Sequence, residues 1–368
     1  MIVGGIVNGI GGRMREPLPL APRPLPGEAI SSWAARIAAR YDLSATELDA
    51  CLPGSRAGGA GHGTMRWLDH RADPGLEAAL AAAAQIAPER LRALRIVPDD
   101  GSTSCWHREG VAWCPACVQD DVARWGETYE RATWRLGCCV LCPDHGVLLK
   151  DQCRRCYPAS RAHFWHAGGR MTLICVQCRR LPDPPEGEDT DADDSWFLPF
   201  DLMATPELNR AVAILQADLS AALAGATSRP GCFVRSAGGL MDAVACLVAG
   251  IALGREMRFE PRVDLFTRAP SKPWAVVYEL FTPAAASVYC AFGLLAIVAA
   301  VLDSLDGQGG ASYRWRQSGV APVITAVSYM AWLNDEARQW LRSASRHWEP
   351  PLQKAFWAAA EGRTGNWY

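Results

Sequence analysis

From Ile30 the chain falls into a helical rhythm. Ile30, Trp33, Ala34, Ile37, Ala38 and Tyr41 recur at three- and four-residue steps, which places them on one helix face. Asp42-Leu43 breaks the pattern. Ser44 with Glu47 three residues on is a capping box that opens a second short helix through Leu52. Gly54 to Gly63 reads as a loop, Leu76 to Ile86 as an Ala-rich helix, and Pro88 as the first residue of a further helix over PERLRAL. Short helices on tight turns predict a helix-turn-helix-like bundle over residues 30–100. Ahead of it, residues 15–28 hold five prolines in fourteen positions, so 1–29 reads as an extended arm.

Beyond the middle of the chain the rhythm returns. Pro206–Ala226, Leu240–Glu256, Ala284–Asp306 and Ala326–His347 read as helices of an all-α domain over 195–368. Residues 181–194 (LPDPPEGEDTDADD) carry seven acids, three prolines and no base, so 183–194 reads as a solvated acidic linker. Ala284 to Leu302 runs nineteen residues without a charge, the length of a membrane span. It is Ala-rich, contains Ser287 and Tyr289, and has no basic cluster beside it, so a buried core helix is expected. The start MIVGGIVNGIGGR lacks a basic n-region and a cleavage site, so a secretory signal is not expected.

Composition adds little to this. Hydrophobic residues make up 49% and charged residues 21%, as in an ordinary globular protein. A net charge of −2 gives no global reason to expect nucleic acid. Of 37 basic residues only Lys150, Lys272 and Lys354 are lysine. Arginine's planar fork suits phosphate, yet an arginine-biased composition explains the count equally well.

The cysteines change the picture. Four paired elements follow one another: Cys114-x-x-Cys117, Cys142-x-x-His145, Cys153-x-x-Cys156 and Cys175-x-x-Cys178. Each such turn places two ligand atoms at two corners of a tetrahedron around zinc, and a second turn closes the other two. Paired in order, the elements give one Cys₃His set and one Cys₄ set, hence two structural Zn²⁺ ions in a tandem module over 101–182. The spacing is also compatible with an interleaved arrangement, and Cys139-x-x-Cys142 is itself a C-x-x-C. Cys138 and Cys139 extend the apolar run before the CPDHG turn, which favours Cys142 with His145. Cys51, Cys105, Cys232, Cys246 and Cys290 read as core thiols. His163 and His166 lie in the loop of the second zinc unit, where they could compete as ligands, and read better as surface histidines.

Other chemistries fit less well. Four pairs in a row do not resemble a thioredoxin-like redox site. His107-Arg108-Glu109 ahead of Cys114 hints at a zinc deaminase, but Trp113 stands where that signature needs proline, and Glu109 lies too near the cysteines. Two sets closed by four protein ligands leave no open position for a catalytic water. The fold class expected is therefore mainly α with small zinc-ribbon β elements.

Candidate phosphate contacts cluster in the second half of the module: Arg154, Arg155, Arg161, Arg170, Arg179 and Arg180. Residues 101–180 hold eleven bases against seven acids, and seven thiolates with two zinc ions reduce that excess to about +1. Arg314 and Arg316 in YRWRQS mix with aromatics as a strand-contacting loop would, although a plain interdomain loop is the better reading.

Together, PRPLPGEAISSWAARIA, WCPACVQDD, YERATWRLGCCVLCPDHGVLLKDQCRRC and LICVQCRRL resemble the TniQ/TnsD family of transposition proteins over roughly residues 18–182. The C-terminal half matches only in being helical. The resemblance implies a non-catalytic protein of the bacterial cytoplasm that chooses the target site for a transposon moved by a separate transposase and an AAA+ ATPase. Its partners would be DNA, bound directly or through an RNA-guided CRISPR effector complex, and that ATPase. No membrane is implied, and a homodimer is left open. The resemblance also supports the four ligand pairs and a helix-turn-helix module at the N-terminus. Two other classes stay in view: a zinc-containing helix-turn-helix transcriptional regulator and a zinc-dependent enzyme acting on nucleic acid.

Overall fold

A computed structural model describes residues 17–52, 64–95, 107–108, 110–153, 155–156, 162–182, 206–224, 237–253, 288–305 and 326–362. The expected Gly54–Gly63 loop, the acidic linker and YRWRQS lie outside them. Two compact units divide the chain. One takes in 1–104, 110–135 and 150–191, the other 105–109, 136–149 and 192–368. The described residues are mostly helical, with one two-stranded sheet, as expected of a mainly α chain with small ribbon elements.

The first unit is organised around helix α1 (Ile30–Arg40). Its apolar stripe of Ile30, Trp33, Ala34, Ile37 and Ala38 is fully buried, packed with Leu48, Leu68, Leu80 and Leu91 from α2 (Ala45–Cys51), from α4 (Pro74–Ala83), from α5 (Pro88–Arg92), and from the turn after α3 (Thr64–Trp67). The capping box is present: Glu47 N–H donates to Ser44 Oγ at 3.2 Å, and Ser44 N–H to the Glu47 carboxylate at 2.8 Å. Helix α4 starts two residues earlier than periodicity suggested, because Asp73 caps it and Pro74 takes its first position. It ends at Ala83, two residues before Gln85 adopts a left-handed φ of 53°. The described part of the arm is pinned to the bundle. Leu18 N–H donates to Ala83 O at 2.7 Å and the Trp33 indole to Pro22 O at 2.8 Å.

The opposite side of α1 is also buried, and it is polar. Arg36 donates to Glu28 at 2.8 Å and, through Nη2 and Nε, to Glu127 at 3.0 and 3.2 Å. Arg40 adds a further bond to Glu127 and one to the carbonyl of Gly169. Ser31 donates through N–H and Oγ to Asp69 at 2.9 and 2.6 Å, and Arg135 lies against Asp69 and Glu130. Burial raises Glu28 to about 7 against the pull of Arg36, and Asp69 to about 6 against that of Arg135. For Glu127 burial acts upward, yet Arg40 and Arg36 hold the carboxyl below its usual value.

Strands β1 (Ala162–Ala167) and β2 (Arg170–Cys175) form an antiparallel hairpin in this unit, with Ala162 opposite Cys175 and Ala167 opposite Arg170. Gly168 and Gly169 make the turn at φ 57° and 76°, a pair of left-handed residues that a tight hairpin needs. Thr128 N–H donates to Met171 O at 2.9 Å, which fastens the hairpin to the segment after α6 (Pro115–Trp125).

In the second unit, α9 (Val288–Leu305) packs against α7 (Pro206–Leu223) and α8 (Ala237–Leu253). The described part of the charge-free run, from Val288 on, is thus a core helix, and no helix among the described residues is long and apolar enough to cross a membrane. The helix expected over Ala326–His347 is broken into α10 (Ala326–Trp332), α11 (Asp335–Ala344) and a 3₁₀ turn, because Asn334 caps a new start through Ala337 N–H at 2.8 Å. A last helix, α12 (Pro350–Ala360), was not anticipated. Fully buried Tyr329 donates to Leu247 O at 2.8 Å. A Cβ on Gly250 would clash with the same hydroxyl, so that approach requires glycine.

Candidate metal centres

The structure gathers Cys114, Cys117, Cys142 and His145 into one group, and Cys153, Cys156, Cys175 and Cys178 into another. In each, the four ligand atoms lie within 4.8 Å of one another, so each group can hold a metal ion. The closer contacts test the fit. Cys153 Sγ and Cys178 Sγ are 3.8 Å apart, and Cys142 Sγ and His145 Nδ1 are 3.6 Å apart. A tetrahedral zinc with bonds of about 2.3 Å to sulfur and about 2.0 Å to nitrogen needs edges of about 3.8 and 3.6 Å. Both pairs therefore stand at zinc-binding separation. Burial, with Cys175 alongside, pushes the Cys153 thiol up to about 12, so a cation is what would make the ligating thiolate stable near neutral pH.

Local backbone explains how two of the four turns are built. In the first group the chain forms a short hairpin, with Leu141 bridging Leu148 and Leu149 N–H donating to Val140 O at 2.8 Å. At its tip, Cys142 N–H donates to Val147 O and Gly146 N–H to Cys142 O, both at 2.8 Å, and Gly146 has φ 67°. The second group repeats this knuckle. Cys175 N–H donates to Arg180 O at 2.8 Å, Arg179 N–H to Cys175 O at 3.0 Å, and Arg179 has φ 58°. Both knuckles thus need a left-handed residue four places after the cysteine. One uses glycine and the other arginine. Cys114 has a different setting, as the N-cap of α6.

Cys138 and Cys139 fall outside both groups. Both are buried, Cys139 Sγ donates to Leu141 O at 3.6 Å, and burial raises Cys138 to about 12 and Cys139 further. Arg108 is buried beside them and donates to the carbonyls of Leu136, Gly137 and Cys139. Cys51 and Cys246 are half-buried rather than full core thiols. His163 and His166 are also half-buried and pack on Trp165 instead of joining a metal group.

Among the candidate phosphate contacts, Arg170, Arg179 and Arg180 are exposed and Arg155 is half-buried. Arg154, Arg161, Arg314 and Arg316 lie outside the described residues. The short helix after the first turn, ATELDAC, carries Glu47 and Asp49 and no base, so it offers phosphate nothing.

One residue that the spacing arguments passed over is Gln216. Its Oε1 accepts from Val140 N–H at 2.8 Å and Leu141 N–H at 2.9 Å, and its Nε2 donates to Leu141 O at 2.8 Å. The side chain completes the outer edge of the hairpin that carries Cys142 and His145. Its signal in the sequence is a polar residue on the stripe of Val212, Leu215 and Leu219. Gln216→Leu would leave the buried N–H groups of Val140 and Leu141 unsatisfied, each costing about 1–3 kcal/mol. Cobalt-loaded protein should then release metal from the Cys₃His group at roughly tenfold lower chelator concentration, with the Cys₄ absorption unchanged. Equal retention at both groups would show that Gln216 does not position the ligands.

Among curated proteins no relative matches the chain. Residues 19–149 match the model of the TniQ family. That span contains Cys114, Cys117, Cys142 and His145, while the Cys₄ group follows it. Residues 19–149 are therefore similar to the TniQ family, in the part of the chain where the motifs carry that resemblance.

Proposed function

We propose that this protein is a non-catalytic, zinc-stabilised target-selection component of a transposition system. It would bind DNA, or a DNA-bound complex such as an RNA-guided effector, and recruit an AAA+ ATPase and transposase. The observation that carries this reading is the TniQ match over residues 19–149 together with two four-ligand groups, one inside that span and one after it, each able to supply all four corners of a tetrahedron from protein atoms. A zinc ion so enclosed contributes folding energy and gives a substrate no coordination position. Cys114, Cys117, Cys142 and His145 would hold one zinc, and Cys153, Cys156, Cys175 and Cys178 the other.

The test is capture. Full-length protein, carrying two zinc ions per chain by atomic emission, should retain the AAA+ ATPase of its own transposon on a DNA-loaded resin. DNA binding without ATPase retention would instead favour a zinc-containing transcriptional regulator. Nucleotide deamination or hydrolysis would favour an enzyme.

A further inference from the structure

Charge is unevenly distributed along the metal-binding region. Residues 101–151 carry five bases and seven acids, whereas 152–182 carry six arginines and no acid. Four thiolates around one zinc remove two charges from the latter and leave about +4. This acid-free stretch contains the Cys₄ group and the β1–β2 hairpin.

An exposed aromatic stands on that hairpin. Trp165, opposite Thr172, is 43% exposed. His166 lies nearly parallel to it with centroids 5.4 Å apart, His163 meets its edge at 5.5 Å, and the guanidinium of Arg179 lies 5.6 Å from its ring centre. Glu47 is near enough to act on His166, but its carboxylate is engaged in the Ser44 capping box.

Arg179 supplies a second, independent observation. It occupies the left-handed position that the sister knuckle fills with Gly146. A side chain there costs about 1–2 kcal/mol relative to glycine, and such strain gathers where a side chain has a role. Neither the Cys₄ group nor the backbone knuckle requires an arginine.

We infer that the β1–β2 hairpin and its knuckle form a single-stranded-DNA contact, in which an unpaired base stacks on Trp165 and the flanking phosphates meet Arg170, Arg179 and Arg180. This rests on the DNA-binding reading above and deepens it. Paired bases keep their faces inside the duplex stack, so an exposed indole finds a stacking partner only where a base is unpaired, and arginines follow the backbone on either side.

The experiment is fluorescence anisotropy with the full-length, zinc-loaded protein. The probes are a labelled thymidine 20-mer and a 20-base-pair duplex, over a range of salt. Trp165→Ala should weaken binding to the single strand roughly tenfold and leave the duplex within twofold. Arg179→Gly should keep both zinc ions, melt no lower than the parent, weaken both probes, and make the salt dependence shallower by about one contact. Unchanged single-strand affinity in Trp165→Ala, or equal losses on both probes, would overturn the stacking contact. If the parent protein binds neither probe nor any target duplex, the DNA-binding reading itself fails.

Discussion

Replacing Arg36 by methionine should destabilise the protein by about 3–5 kcal/mol, although residue 36 touches neither metal group. The guanidinium is buried between Glu28 and Glu127 and bonds to both. Removing one member of a buried ion network leaves the others uncompensated, and that loss exceeds what the intact network contributes over an apolar substitute. The pH dependence follows from the shifts. Burial brings Glu28 to about 7, with Arg36 acting to lower it. Without Arg36 the carboxyl titrates higher still, so at pH 6 Glu28 is neutral in both proteins and the gap there reflects mainly the lost bonds to ionised Glu127. As pH rises through 7 the parent ionises Glu28 beside a cation and the variant cannot, so the gap should widen. Urea denaturation at pH 6 and pH 8 measures this. A gap that narrows with pH, or stays under about 1 kcal/mol, would mean the network does not hold α1 in place.

Cys178→Ser should release one zinc of two and unfold the Cys₄ module while leaving the Cys₃His group loaded. The Cys178 sulfur stands 3.8 Å from that of Cys153, at the tetrahedral edge. Structural zinc contributes about 10–16 kcal/mol of apparent binding free energy in small zinc modules. The hairpin above the site has two strands, which rarely hold alone in water. Hydrogen exchange should show Met171 to Cys175 losing protection, while α9, in the other compact unit, keeps it. A variant that retained two zinc ions and full protection would show that the metal lies elsewhere.

Much of this was legible because it is local. The Ser44–Glu47 capping box, the start at Pro88 and the four ligand pairs each depend on residues within four positions of one another, a distance over which spacing fixes geometry. Cys142 rather than Cys139 joins His145 because of the hairpin that follows, and the CPDHG turn already signalled it. The charged side of α1 was not legible. Arg36 and Glu127 are 91 positions apart, and an arginine between apolar neighbours reads as solvent-facing unless its partners are known. Gln216 was hidden for the same reason, with its partners 75 and 76 positions away. The single helix expected over 326–347 failed differently. Its apolar pattern runs on through Leu333, but Asn334 offers the backbone a cap that a continuous helix would have to give up.

The two knuckles share their closing hydrogen bonds and differ in the residue held left-handed. The protein thus contains its own control experiment. Gly146→Arg places in the Cys₃His knuckle the side chain that the Cys₄ knuckle already carries, and Arg179→Gly does the reverse. The pair of reciprocal exchanges separates what the backbone turn requires from what the arginine adds, inside one polypeptide and under one set of conditions. Any difference in metal retention between them measures the cost of the turn, and any difference in DNA affinity measures the use to which that cost is put.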